Sequence, residues 1–268
     1  MRRRLLLFTL SFAISIVASL AATYIAVLRP MRRSWGLDPD EGMSPLPGDD
    51  LVPDAPLVET RGITIDAPPA AVWPWLVQMG YGRGGWYSYD KMDNDAASAD
   101  RILPEFQALS VGDVMPTWPG GGFQVAALDP GRSLVLYLDT PMVKAQQAAH
   151  EQTLPEPITP GIRAAGAMGD TAMPEFKATW AFVLQPLDGE KTRVIERLRA
   201  WAPEPSGIQK LALPVLGMGV FLMTRKQLLG LKERIERFRA FGGIAPAATV
   251  DIVPPAESVP DEGETATA

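Results

Sequence analysis

Residues 72–90 read VWPWLVQMGYGRGGWYSYD, and the reading of this stretch decides the fold. It opens as an amphipathic helix. Val72, Trp75, Leu76 and Met79 recur at helical spacing and form one apolar stripe. Pro68 and Pro69 stand where a first helical turn accepts proline, and Asp66 just ahead offers a cap. Gly80 stops the helix, four glycines fall within residues 80–85, and the chain re-enters on Trp86, Tyr87 and Tyr89. Three aromatics beside a glycine loop suit a cavity wall. Rigid rings line apolar pockets, and Tyr O–H and Trp N–H groups orient what lies inside.

Gly80, Gly82 and Gly85 also satisfy G-x-G-x-x-G. The dinucleotide fingerprint needs a strand before that loop and a helix after it. Here a helix comes first, so no helix N-terminus is offered to a pyrophosphate. The glycines are expected to build a tight re-entrant corner, left-handed where the turn requires it. The other reading of the loop is a flap that closes on a ligand.

Three runs carry a family resemblance: ITIDAPPAAVWPWL at 63–76, QMGYGRGGWYSYD at 78–90 and ADRILPEFQALSVGD at 99–113. Together they resemble the SRPBCC superfamily, the START-like and polyketide-cyclase-like helix-grip proteins. Within it they are similar to a bacterial membrane-associated subgroup. The resemblance covers residues 59–241. It implies an α+β fold in which a curved antiparallel β-sheet wraps round a long C-terminal α-helix, with a ligand cavity between them.

Composition narrows the chemistry. The chain has 268 residues, 47% of them hydrophobic, which is ample for a core. A net charge of −6 argues against a nucleic-acid surface. With no cysteine, disulfides, thiolate metal sites and cysteine nucleophiles are excluded. With His150 as the single histidine, a multi-histidine metal site is ruled out and a Ser-His-Asp triad would have to recruit that one residue. Asp90, Asp93, Asp95 and Asp100 lack the glycine and closing glutamate of a calcium loop and read as a solvated, helix-capping face. No cofactor or metal is called for.

Residues 1–33 read as a transmembrane anchor. The run 5–28 carries no charge, and as a helix it is about 36 Å long, enough for a hydrocarbon core of about 30 Å. A cleavable signal peptide is the rival, with Ser19-Leu20-Ala21 as its site. The apolar run continues past that site to Leu28, which favours a retained single-pass anchor in the cell membrane. Arg2, Arg3 and Arg4 at one end balance Arg29, Arg32 and Arg33 at the other, so the side faced by the rest of the chain stays open. Ser11, Ser15, Ser19 and Thr23, and Ala18, Ala22 and Ala26, are small-xxx-small rows through which such helices pair into homodimers.

Residues 34–58 are proline- and acid-rich and read as a semi-extended tether. At about 3.1 Å per residue it would hold the domain tens of ångströms off the bilayer unless it packs back. The domain proper is 59–243. Strands are expected at 60–66, 111–115, 123–128, 133–138, 177–184 and 192–201, with Asp129-Pro130-Gly131 and Asp188-Gly189-Glu190 as hairpin turns. Hairpins without crossover helices mean an antiparallel sheet. Residues 141–174 read as a partly disordered insertion holding an exposed, inert His150, and 244–268 as a disordered acidic tail.

Period two on the last hairpin puts Ala178, Trp180, Phe182 and Leu184 on one face, and Val194, Glu196 and Leu198 on another, opposite Arg193, Arg197 and Arg199. The arginine face is expected in water and Glu196 inside, where a carboxylate must be paired or hold its proton. Residues 206–241 form a long helix with a stripe of Ile208, Leu211, Val215, Met218, Leu222 and Leu229, then Leu228, Leu231, Ile235 and Phe238. Pro214 should kink or restart it. The uncharged stretch 211–223 is too short to cross a bilayer; it is either the buried half of the gripped helix or a membrane-touching patch.

The leading reading is a binding protein for a hydrophobic or amphipathic small molecule, lipid- or isoprenoid-like. The expected ligand-binding residues are Trp75, Trp86, Tyr87, Tyr89, Trp118, Trp180, Phe182, Glu196 and Met218. The alternatives are a polyketide cyclase/aromatase-like enzyme, with Glu196, Tyr87 or Tyr89 as the acid or base, and a non-catalytic membrane scaffold.

Overall fold

The computed structural model describes residues 11–12, 14–16, 18–19, 22–38, 40–153, 174–188, 190–204 and 209–242. Most of the insertion expected at 141–174, the C-terminal tail, and residues 1–10 with 13, 17, 20 and 21 of the apolar N-terminal run lie outside them. Among the described residues no helix is long and apolar enough to cross a membrane.

Six strands form one antiparallel sheet: β1 Leu57–Ile65, β2 Val114–Trp118, β3 Gly121–Asp129, β4 Ser133–Asp139, β5 Lys177–Leu187 and β6 Lys191–Trp201. Their spatial order is β1-β6-β5-β4-β3-β2. Helices α1 Arg29–Ser34, α2 Pro69–Val77, α3 Thr140–Thr153 and α4 Gln209–Ala240 pack on the sheet, and a single helical turn spans Asp90–Asp93. This is the expected α+β plan of an antiparallel sheet with a long C-terminal helix. The β3–β4 turn bends at Gly131, whose φ is 76°, as the Asp-Pro-Gly signal requires. One core joins the inner sheet face to α2 and to the second half of α4, through Ile65, Trp75, Leu136, Phe182, Leu228, Leu231 and Ile235.

The organising stretch folds as a staple. Pro69 begins α2, but Asp66 is not its cap; the capping position is Pro68, and Asp66 pairs with Lys191 at 3.2 Å. Gly80 and Gly85 exchange backbone hydrogen bonds of 3.2 and 3.1 Å, closing the re-entrant corner. Gln78, fully buried, donates to Tyr87 Oη and to the Arg101 carbonyl, both at 3.0 Å, and accepts from Leu103 N–H at 2.9 Å. Arg83 donates to the carbonyls of Val77 (2.9 Å) and Phe106 (3.2 Å) and lies over the Phe106 ring. The glycine corner and the 99–113 run are thus tied by hydrogen bonds made by Gln78 and Arg83. Their co-occurrence in the sequence reflects architecture.

Three expectations change. The 34–58 segment does not stand off; it packs across the outer face of the sheet. Arg193 binds Glu41, Arg197 binds Asp49 at 2.6 Å and the carbonyls of Ser44 (2.9 Å) and Gly42 (3.0 Å), and Arg199 donates to the carbonyls of Val52 (3.0 Å) and Pro53 (2.7 Å). The arginine face is therefore covered by chain and not by water, and Arg197 is buried. An acidic, carbonyl-rich strap is the natural partner of such a face. Next, residues 140–153 form helix α3, which docks on the start of β3: Gln146 and the Gly122 backbone exchange hydrogen bonds of 2.9 and 3.0 Å. His150 is half-buried against Gly120, where an added methyl would overlap the imidazole. Last, α4 runs through Pro214 without a restart. Its buried side near there is Phe221, while Val215 and Leu222 of the expected stripe are exposed.

Candidate functional site

Glu196 points inward from β6, and the β-register sets its surroundings. It stands opposite Phe182 on β5 and opposite Arg61 on β1. Trp180 and Phe182 share its face of the sheet, two residues apart on β5. Extending the same period back along β1 from Ile65 and Ile63 brings Arg61 and then Glu59 inward. All three charged residues are buried, together with Arg32 from α1.

The four groups form a chain. Arg32 Nε lies 2.9 Å from Glu59 Oε1; Glu59 Oε2 pairs with Arg61; Arg61 Nη1 is 3.9 Å from Glu196 Oε1. Trp180 Nε1 donates to Glu196 Oε1 at 2.7 Å. The Arg61 guanidinium lies over the Phe221 ring of α4, 5.6 Å from its centre. Trp86 from the glycine corner stacks on Trp180, ring centres 5.0 Å apart and planes 17° apart; Phe123 and Phe182 meet the same indole edge-on and tilted. Two cations and two carboxylates thus sit inside an aromatic wall closed by α4.

Burial of that many charges costs several kcal/mol per ion unless each is paired and hydrogen-bonded. The pairing is incomplete. Glu196 Oε2, Arg61 Nε, Arg61 Nη1 and Trp86 Nε1 are buried without a hydrogen-bond partner. Burial pushes the Glu196 carboxyl above its ordinary pKa; Arg61 and the Trp180 N–H pull it back, and Glu59 adds to the rise. The site therefore holds an acceptor or acid (Glu196) and two donors (Arg61, Trp86), all beside aromatic rings. That is the equipment for a molecule with an apolar body and an oxygen-bearing end.

The expected ligand residues divide on this geometry. Trp86, Trp180, Phe182 and Glu196 come together. Trp75 and Tyr87 pack elsewhere in the core, ring centres 5.9 Å apart, with Phe238 beyond Trp75. Tyr87 Oη donates to the Trp75 carbonyl at 2.9 Å, and burial holds the phenol far above its ordinary pKa, so it acts as a fastener. Its backbone is left-handed, φ 59°, an uncommon state for a tyrosine. Tyr89 is exposed, Trp118 stands on edge strand β2 beside Gly121 and Gln146, and Met218 is half-buried on α4. The sequence reading missed Arg61, Glu59 and Arg32. The strand period carried the signal for the first two; nothing local could place Arg32.

The grip is filled rather than hollow at Glu196: Arg61, Phe182 and Phe221 are fully buried there. A separate groove of about 430 Å³ opens between α2 and the end of α4, lined by Ala71, Pro74, Trp75, Ile102, Ile235 and Phe238. Its walls lack a polar group of the kind found round Glu196, apart from Arg239 at its margin.

No protein-family model matches the chain, and no curated protein matches it by sequence. Distant solved structures do. A conserved protein from Geobacillus kaustophilus is 11% identical with a TM-score of 0.34, covering 68% of this chain and 97% of that one. A protein from Mesorhizobium loti is 15% identical with a TM-score of 0.33, covering 66% and 97%. The Zhui aromatase/cyclase from Streptomyces sp. R1128 is 12% identical with a TM-score of 0.29, covering 70% and 99%. At these scores the likeness carries nothing about ligand or activity. The class is defined by the chain's own geometry: an α+β protein whose antiparallel sheet closes on a long helix over a buried ionic and aromatic cluster.

Proposed function

We propose that this chain is a membrane-anchored binding protein for an amphipathic small molecule, held between sheet and helix at Trp180, Glu196 and Arg61. The observation that supports it is the set of buried, unpartnered polar atoms, Glu196 Oε2, Arg61 Nη1 and Trp86 Nε1, against aromatic rings. A carbonyl, hydroxyl or carboxyl of a ligand would satisfy them, and its apolar remainder would lie along Trp180 and Phe123. At about 25 cal/mol per Å², a ligand hiding about 400 Å² gains some 10 kcal/mol before the costs of association. Because Phe221 closes the cluster, entry requires the first half of α4 to move. The anchor is the apolar run 5–28, single-pass, with its orientation open.

The test is to purify the chain from its own host, weigh it by native mass spectrometry, and extract what is bound with organic solvent. A stoichiometric amphipathic molecule is expected, lost when Trp180→Ala is purified in parallel. If a folded Trp180→Ala variant retains the same molecule at full occupancy, Trp180 is not in the site.

The raised Glu196 pKa supports a second reading, a cyclase-like enzyme in which protonated Glu196 donates to a ligand carbonyl. Glu196→Gln separates the two. A binder retains its molecule, whereas an enzyme accumulates unconverted substrate on the variant.

A further inference from the structure

The first half of α4 has two faces. Phe221 closes the cluster on one side. On the other, Val215 is 74% exposed, Leu216 64% and Leu222 46%. At 3.6 residues per turn, Val215, Leu216, Gly219 and Leu222 gather on the side opposite Phe221. Val215, Leu216 and Leu222, three large apolar side chains exposed on one side of the helix, are a contact surface in search of a partner.

We infer that this face lies in the surface of the lipid bilayer, alongside the chain's own anchor, so that α4 separates lipid on one side from the ligand cluster on the other. Two observations select lipid over a second copy of the chain. The first is continuity. Arg32 of α1 packs against Gly217 of α4, so closely that a methyl on Gly217 would overlap the guanidinium. Arg32 also holds Glu59. Leu28, where the uncharged run ends, is four residues earlier, about 6 Å along a helix. Val215 and Leu216 lie within one turn of Gly217, turned away from the cluster. On the anchored reading, the chain leaves the membrane at the level along α4 where the apolar face is exposed.

The second observation is charge. Exposed Arg29 stands three residues before Arg32 in the chain, and Arg225 and Lys226 follow Leu222 on α4. Cations beside an apolar face repel its own copy and fit anionic headgroups. Arg225 also lies over the Trp35 ring, 5.1 Å from its centre, so this charge and the segment leaving the anchor are one surface. Ser88 Oγ donates to the Met223 carbonyl at 2.9 Å, and Tyr89, the next residue in the chain, is exposed. A tyrosine at that level suits the interface between hydrocarbon and water. The inference rests on the anchored reading and adds the source of the ligand, which would pass from the leaflet round α4 and not through water.

The chain has no cysteine, which permits a direct test on the full-length protein. Val215→Cys, Leu216→Cys and Leu222→Cys are labelled singly with an environment-sensitive fluorophore. Val111→Cys, an exposed apolar position on a distant turn, is the reference. Each chain is reconstituted into vesicles of phosphatidylcholine and phosphatidylglycerol. Labels at 215, 216 and 222 should shift to the blue and be quenched several-fold more than the label at 111 by lipids carrying nitroxide on their acyl chains. Labels there that are as open to iodide as the label at 111 would overturn the inference. So would self-quenching between labels at 215 without quenching by lipid, which would assign the face to a second copy. Flotation is read first: a chain that fails to float with the vesicles removes the anchor and this inference together. None of these readouts depends on whether a ligand is recovered, so loss of the binding reading is seen separately.

Discussion

Glu59 is the residue on which the buried charges turn. It is the one group that meets both Arg32 and Arg61, and all three are out of water. Glu59→Gln leaves two guanidinium groups with one distant carboxylate, and removal of one member of a buried pair typically costs 3–5 kcal/mol. We expect a loss of about 3 kcal/mol in denaturant unfolding. Glu196 behaves in the opposite sense. Its pKa is raised on folding, so its contribution to stability is complete below the ordinary carboxylate range and fades as pH climbs through the raised value. Glu196→Gln keeps an oxygen for the Trp180 N–H and removes that dependence. The melting temperature of the variant should stay level over the pH interval in which that of the wild type falls. A parallel fall in both would show that the titrating group lies elsewhere.

At the level of elements, the strap over the sheet and the helix against the glycine corner are the parts to probe. Arg197 alone donates to Thr60 Oγ1, Asp49 and two strap carbonyls. Arg197→Ala breaks four bonds and strands buried acceptors, a loss of about 2 kcal/mol. The strap should then become the first site of cleavage in limited proteolysis; if residues 40–53 stay protected, the arginine is not what holds it. The strap also covers the sheet edge, since the Gly62 N–H of β1 donates to the Trp35 carbonyl at 3.0 Å. Gly230 on α4 sits so close to the Tyr87 carbonyl that a methyl there would overlap backbone. Gly230→Ala must push α4 away from the corner, at a cost of about 1–3 kcal/mol, read as a lowered unfolding midpoint.

On the scale of the whole molecule, the proposed anchor would end before Arg29, because the residues that follow belong to the packed domain. Arg32, Trp35 and the strap all pack on the domain. Deletion of residues 1–28 keeps the Arg32–Glu59 pair and should yield a folded domain. Deletion of 1–33 removes it and should lower stability by about 3 kcal/mol, the same as the loss of Glu59. Comparison of the two truncations by thermal unfolding checks this. Equal melting temperatures would mean that Arg32 contributes nothing. Both truncations keep the exposed face of α4, so residual vesicle binding by the shorter chains is a further expected outcome.

The sequence by itself determined the class of fold and the direction of the strand residues in the buried cluster. Period-two alternation placed Trp180, Phe182 and Glu196 inside, and the Asp-Pro-Gly turn set the β3–β4 hairpin. These are local facts: side-chain direction along a strand and turn chemistry need no knowledge of what lies opposite. Which face of a segment is covered, and by what, is a different matter. The arginines of β6 look like a solvated face until the acidic strap from far upstream folds across them. The uncharged stretch 211–223 of α4 has apolar residues on all sides, so periodicity cannot choose between Phe221 and Val215; contact with Arg61 chose Phe221. Arg32 becomes part of a buried cluster only because α1 meets both β1 and Gly217. Long-range packing decided these, because burial belongs to pairs of surfaces and no single segment carries both members of the pair.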